Sequence, residues 1–148
     1  MSKHAQTQKL APLPRVGTQA THIRTVSEAD VQSFAHVSGD YNPVHLDHEY
    51  AARTPFGGRI AHGLLTGAFI SAVLGNDLPG PGSIYVSQTF KFLAPVYLGD
   101  TIATTVEVVA VREEKRLVTL RTTCTNQNGT TVLTGEATIK YMKVLEEN

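Results

Sequence analysis

An acid and a histidine stand five residues apart in the segment Ser38-Gly39-Asp40-Tyr41-Asn42-Pro43-Val44-His45. Brought to one small site, a carboxylate and an imidazole form a general acid/base pair. Their ordinary pKa values, about 3.9 and about 6.5, straddle what is needed to take and return a proton near neutrality. The residues between them predict how they meet. Gly39 reads as the left-handed residue closing a preceding helix, a conformation that costs glycine little. Asn42 reads as the N-cap of the next helix and Pro43 as its first residue, where no amide hydrogen is needed. Asp40 then lies on the loop ahead of that helix and His45 in its first turn, so both side chains can converge near a helix N-terminus.

A second chemical element follows in Ala61-His62-Gly63, at the start of the most apolar stretch of the chain. The first amide hydrogens of a helix have no internal acceptor and sit at the positive end of its dipole. A glycine there lets a carbonyl oxygen approach, which makes Gly63 a candidate oxyanion donor. An acid/base pair beside such a donor suits proton transfer next to a carbonyl. Neither Asp40 nor His45 is a nucleophile by itself, and no Ser-His-Asp or Cys-His arrangement stands out. Each residue also has a plainer use. Asp40 can cap a helix, and His45 can be a packed or surface histidine. His62 can bond a backbone carbonyl and fix the start of the helix, which is the use favoured for it. Ser71 can bond back to the carbonyl four residues earlier or point into an acyl pocket. Gly63 and Gly67 can serve close packing. His45, Asp47, His48 and His62, with Asp40 nearby, have ligand character, but no cysteine partner or recognised spacing accompanies them and no metal is expected.

The elements that would position these residues are legible in outline. Residues 1–20, with Pro12, Pro14 and Gly17, read as a flexible or loosely attached polar segment, and 21–148 as one domain. Thr21 to Val26 alternates as a short strand. Ser27 with Asp30 three residues on resembles a capping box, opening a helix that Gly39 ends. The second helix is expected from Pro43 towards Arg53. The third runs from Ile60 to Leu74 with Gly75 as its stop, and it is apolar on nearly every side, so it is expected to be buried. At fifteen residues, about 22 Å, it is too short for a membrane span. After the Pro/Gly loop of 77–82 everything reads as strand, with a charged turn at 112–116 and an Asn128-Gly129 pair that signals a type I′ hairpin. Helices first and an antiparallel meander second define an α+β domain whose sheet curls around the apolar helix.

Thirteen basic and thirteen acidic residues cancel, so no net charge drives binding to nucleic acid or an anionic membrane. The lone Cys124 forms no internal disulfide and fits a reducing compartment. No secretory signal is visible. The first acid is Glu28, so the N-terminus has a weak likeness to an organelle transit signal, but a plain polar terminus is the favoured reading. The expected location is cytoplasmic, with the mitochondrial matrix as the alternative.

Together these motifs are more specific than apart. Phe34 to His45, followed by Ala51, closely resembles the hydratase-2 signature of the MaoC-like (R)-specific enoyl-CoA hydratases. Arg59-Ile60-Ala61-His62-Gly63-Leu64-Leu65 is similar to the start of that family's central helix. Gly82-Ser83-Ile84-Tyr85 and Phe92 to Asp100 are similar to its following strands. The resemblance spans residues 22 to 142. It implies a hot-dog fold, a long helix wrapped by an antiparallel sheet, and a homodimer. It further implies reversible hydration of a trans-2-enoyl thioester to the (R)-3-hydroxyacyl thioester. Asp40 and His45 would hold and activate the water, and the Gly63 N–H would stabilise the enolate-like oxygen. Asn42 would support the loop, and Ser71 matches a polar helix position of the family's site. No cofactor is implied; CoA or acyl carrier protein carries the substrate. The rivals are a 3-hydroxyacyl-[acyl carrier protein] dehydratase, a thioesterase on the same fold, and a non-catalytic thioester-binding subunit.

Overall fold

Residues 8–146 are described by the structure, a computed structural model. In chain order the elements are β1 (Gln19–Thr25), α1 (Glu28–Ser38), α2 (Pro43–Leu46), α3 (His48–Ala52), α4 (Gly63–Asn76), β2 (Ser83–Gln88), β3 (Lys91–Phe92), β4 (Thr101–Arg112), a 3-10 turn (Glu113–Lys115), β5 (Leu117–Thr125) and β6 (Thr131–Tyr141). The strands form one antiparallel sheet in the order β1–β4–β5–β6–β2, with β3 also paired to β6. Side chains alternate along a strand, so Ile102, Val106 and Val108 of β4 and Val118, Leu120 and Cys124 of β5 share the inner face. There they bury Ile70, Val73 and Leu74 of α4. Cys124 is fully buried, and burial pushes its thiol pKa up, so it is a packing residue.

Local signals in the first half act as the residue types require. Ser27 Oγ accepts from Asp30 N–H and Asp30 returns the bond to Ser27 N–H, completing the capping box of α1. Gly39 closes α1 in the left-handed region at φ 78°, its N–H bonded to Ala35 O. Asn42 Oδ1 accepts from Val44 N–H and Pro43 opens α2.

Several boundaries differ from expectation. The second helix is broken in two at Asp47, which takes an extended conformation (φ −108°, ψ 109°) and caps α3 through Tyr50 N–H. A capping side chain at that point competes with continuation of the helix. The central helix starts at Gly63, because Ile60 is drawn into a bridge with Tyr97 and Ala61 N–H bonds Val96 O. It runs through Gly75 to Asn76. Its burial is one-sided: Ile70 and Val73 are buried, whereas Leu64 is 56% exposed, and Ala68, Ser71 and Gly75 continue the exposed stripe. β1 begins at Gln19, two residues before the expected start. The Asn128-Gly129 turn is not type I′, since only Gly129 has positive φ. Gly129 N–H bonds Asn126 O, while Asn126 Oδ1 accepts from Asn128 and Thr130, so the connection is a longer loop built by Asn126.

The flexible segment expected over 1–20 is also corrected over its second half; residues 1–7 lie outside the described residues. Leu10 bridges Val144, Ala11 is buried, and Arg116 donates from Nη2 to Ala11 O (2.6 Å) and from Nε to Tyr141 O (2.7 Å). A cation from the β4–β5 turn satisfies carbonyls of both terminal segments and fastens them.

The chain between β2 and β3 crosses β6 so closely that a Cβ at Gly135 would lie 1.8 Å from the carbonyl oxygen of Thr89. Both atoms are fixed by backbone. Gly135→Ala is expected to destabilise the fold by about 3 kcal/mol or more, beyond ordinary overpacking. Urea unfolding of the variant checks this; a loss under about 1 kcal/mol would contradict the close crossing.

Candidate active site

Three short segments meet at one end of α4: the loop 39–42, helix α2 and the stretch 59–63. His45 is buried in the single turn of α2. Its Nδ1 lies 2.7 Å from the carbonyl oxygen of Ile60. A carbonyl only accepts, so Nδ1 carries the proton and Nε2 keeps a free lone pair. Burial is the main cause that lowers the His45 pKa below its ordinary value, outweighing the Ile60 bond and the Asp40 charge, which raise it. The imidazole therefore stays neutral, as a base must, to more acidic pH than a free histidine.

Asp40 is exposed on the loop, its Oδ1 accepting from Asn42 N–H at 3.1 Å. Asn42, not Asp40, caps α2, which leaves the carboxylate free for other work. His62 stacks on His45 with ring centroids 3.9 Å apart, and its Nε2 donates to the backbone oxygen of Asp40 at 3.0 Å. It thereby fixes the loop that carries the acid. Ligating atoms of Asp40, His45 and His62 all lie within 4.8 Å of one another. Among the described residues these three are the group that could hold a cation; Asp47 and His48 are not part of it.

Gly63 is the first residue of α4, and the side chain of His62 makes no capping bond to that turn. Leu65 N–H bonds His62 O at 3.1 Å, whereas the Gly63 N–H has no acceptor within the helix, and Gly63 lines the cavity. Glycine also suits the packing here, because a Cβ would come 2.7 Å from the Phe92 ring and would have to push it aside. Asp40, His45, His62 and Gly63 all line one cavity of about 720 Å³, walled by apolar residues that include Phe92 and Leu133. Ser71 is not brought there. It sits on the exposed stripe of α4 and lines a separate cavity beside Tyr85 and Phe90.

Two supporting residues have no role assigned from the sequence. Arg59 donates from Nε to His45 O and from Nη1 to Glu28, both at 2.7 Å, tying α1 and α2 to the start of the central helix. Thr66 lines the main cavity with a buried hydroxyl. A polar residue in the most apolar helix, one turn beyond Gly63, is the signal for it, and Ser71 carries the same signal.

This fold and this site define an α+β domain with an aspartate and a histidine side by side at the N-terminus of its central helix, and comparison places it. The MaoC like domain family matches residues 12–129, and the chain belongs to that family. The (R)-specific enoyl-CoA hydratase of Rhodospirillum rubrum is 53% identical over 123 residues, covering 83% of this chain and 85% of that protein. The 3-hydroxybutyryl-CoA dehydratase of Methylorubrum extorquens is 51% identical, covering 86% and 81%. Among solved structures, the (R)-hydratase from A. caviae involved in PHA biosynthesis superposes with a TM-score of 0.86 at 43% identity, covering 88% of this chain and 99% of that one. Its architecture is the expected hot-dog fold, with the sheet left open rather than closed into a barrel.

The tautomer and titration of His45 are directly measurable. Its pKa is lowered from 6.5 on folding, so the unfolded chain binds the proton first. Its contribution to stability is therefore full above about 6.5 and is lost as pH falls through the folded value. Long-range ¹H–¹⁵N spectra are expected to show an Nδ1–H tautomer titrating below 6.5. An Nε2–H tautomer, or a midpoint at or above that value, would contradict the geometry.

Proposed function

We propose that the protein is an (R)-specific enoyl-CoA hydratase that adds water reversibly to trans-2-enoyl-CoA. The observation that carries this reading is the convergence of Asp40, His45 and the start of α4 on one apolar-walled cavity; the hydratases among the relatives support it. A water lies between the Asp40 carboxylate and the bare Nε2 of His45. Its oxygen bonds to the β-carbon as the pair removes one proton. The π electrons of the enoyl bond move onto the thioester, and the Gly63 N–H binds the oxygen that gains charge. A proton returned from the pair to the α-carbon completes the addition of H and OH. Asn42 keeps the Asp40 loop in place, and His62 holds its carbonyl. No metal or redox cofactor has a part in these steps.

Wild-type protein mixed with crotonyl-CoA is expected to bleach the conjugated-enoyl absorbance and yield (R)-3-hydroxybutyryl-CoA without releasing thiol, whether or not EDTA is present. Asp40→Asn and His45→Asn should each lower kcat by roughly 10²-fold or more while keeping the native circular dichroism. Thiol release would favour hydrolysis instead, and normal kcat in either variant would remove that residue from the mechanism.

The working unit is proposed to be a homodimer. β2 is an edge strand of the sheet, with Ile84 and Val86 each 57% exposed, and it lies beside the exposed Leu64–Ala68–Ser71 stripe. An apolar edge of this kind calls for a partner strand, and a two-fold pairing of β2 with itself would cover it and enclose Ser71. Sedimentation is expected to give twice the chain mass, and Val86→Lys to shift it towards monomer. A wild-type monomer at micromolar concentration would contradict this assembly.

A further inference from the structure

Thr66 is 2% exposed, yet its hydroxyl has no hydrogen-bond partner among the described residues. Buried hydroxyls are rarely left so, because desolvation without a bond is costly. A threonine inside a helix normally bonds the carbonyl four residues back. Here that carbonyl belongs to His62 and accepts from Leu65 N–H at 3.1 Å, while the Thr66 hydroxyl leaves it alone. Thr66 instead lines the cavity that holds Asp40, His45 and Gly63, with its hydroxyl just beneath the surface. Thr66 follows Gly63 by three residues, so the two share a helix face, and side chains on a helix lean towards its N-terminus. The Thr66 side chain therefore lies over the turn that begins with Gly63.

We propose that the Thr66 hydroxyl donates a second hydrogen bond to the thioester carbonyl oxygen, beside the Gly63 N–H, making the oxyanion site two-donor and Thr66 a catalytic residue. The inference rests on the hydratase reading and adds to it. The substrate supports this choice of acceptor by elimination. Near the reacting carbons, a 3-hydroxyacyl or 2-enoyl thioester offers two polar groups, the carbonyl oxygen and the β-oxygen or its water. The β-oxygen belongs to Asp40 and His45. The alkyl tail offers none, and the cavity wall is largely apolar, with Val132 and Leu133 among its residues. His62 Nδ1 is buried and unpartnered as well, but Nε2 carries the His62 proton, so Nδ1 only accepts and cannot stabilise an oxyanion. The hydroxyl of Thr66 is the side-chain donor on this face. Its bond strengthens as the carbonyl oxygen gains charge, which speeds the chemical step more than it tightens binding.

The test replaces Thr66 by valine, which keeps the branched shape and removes the donor, and by serine, which keeps the donor. Thr66→Val is expected to lower kcat for crotonyl-CoA by roughly 10- to 100-fold, at or below the usual effect of losing an oxyanion donor, with KM changed far less. Thr66→Ser should recover most of the rate. Infrared difference spectra of bound crotonyl-CoA carrying a ¹³C carbonyl, recorded in the Asp40→Asn background, supply a readout that packing alone would not move. The thioester band should lie at lower frequency with the native Thr66 and with Thr66→Ser, and at higher frequency with Thr66→Val. An unchanged band and kcat in Thr66→Val overturn the proposal, as does a change confined to acyl-chain preference. Wild-type protein that hydrates crotonyl-CoA while Thr66→Val behaves identically overturns only this inference. Wild-type protein that neither hydrates nor binds the thioester overturns the hydratase reading with it.

Discussion

The hydrogen bond from His45 Nδ1 to the carbonyl of Ile60, fifteen residues further on, is the contact on which the rest of the site depends. It sets the tautomer, aims the free lone pair, and joins α2 to the start of the central helix. It exists only because residues 59–61 are themselves held in place. Ile60 N–H bonds Val44 O, Arg59 bonds His45 O, and Ala61 N–H bonds Val96 O. Each such bond is worth about 1 kcal/mol net, but a buried partner left without one costs more. The set therefore specifies one arrangement more strongly than it stabilises the fold. His62 performs the same service for the acid, clasping the Asp40 carbonyl while stacking on His45.

The central helix has two apolar faces with different destinies. Ile70, Val73 and Leu74 fill the concave side of the sheet. Leu64, Ala68 and Ser71 lie on the outer stripe, beside the edge strand β2. Gly63 and Gly67 accept the rings of Phe92 and Phe90, which stack with centroids 5.8 Å apart. The same missing Cβ thus serves packing and, at Gly63, leaves the backbone open to the cavity.

How far the sequence could be read depended on how local each signal was. The capping box of Ser27 and Asp30, the left-handed Gly39, and the Asn42-Pro43 start are decided within a few residues, and each is found as expected. The strands of the second half were recognisable from β-branched alternation. Where two local signals competed, the outcome was less legible. Asp47 could continue a helix or cap the next, and Asn126 could outbid Asn128-Gly129 for control of the turn.

By itself, then, the sequence determined which residues could act as acid, base and oxyanion donor, and that they flank helix starts, because side-chain chemistry and backbone preference are properties of a residue and its near neighbours. Only the tertiary structure decided that Ile60 holds His45, that His62 holds the Asp40 loop, that Arg59 reaches Glu28, and that Thr66 rather than Ser71 borders the main cavity within one chain. Those outcomes depend on which helix face meets the sheet and on contacts between segments far apart in the chain. An apolar helix with no polar side carries no local mark of which face will turn inward.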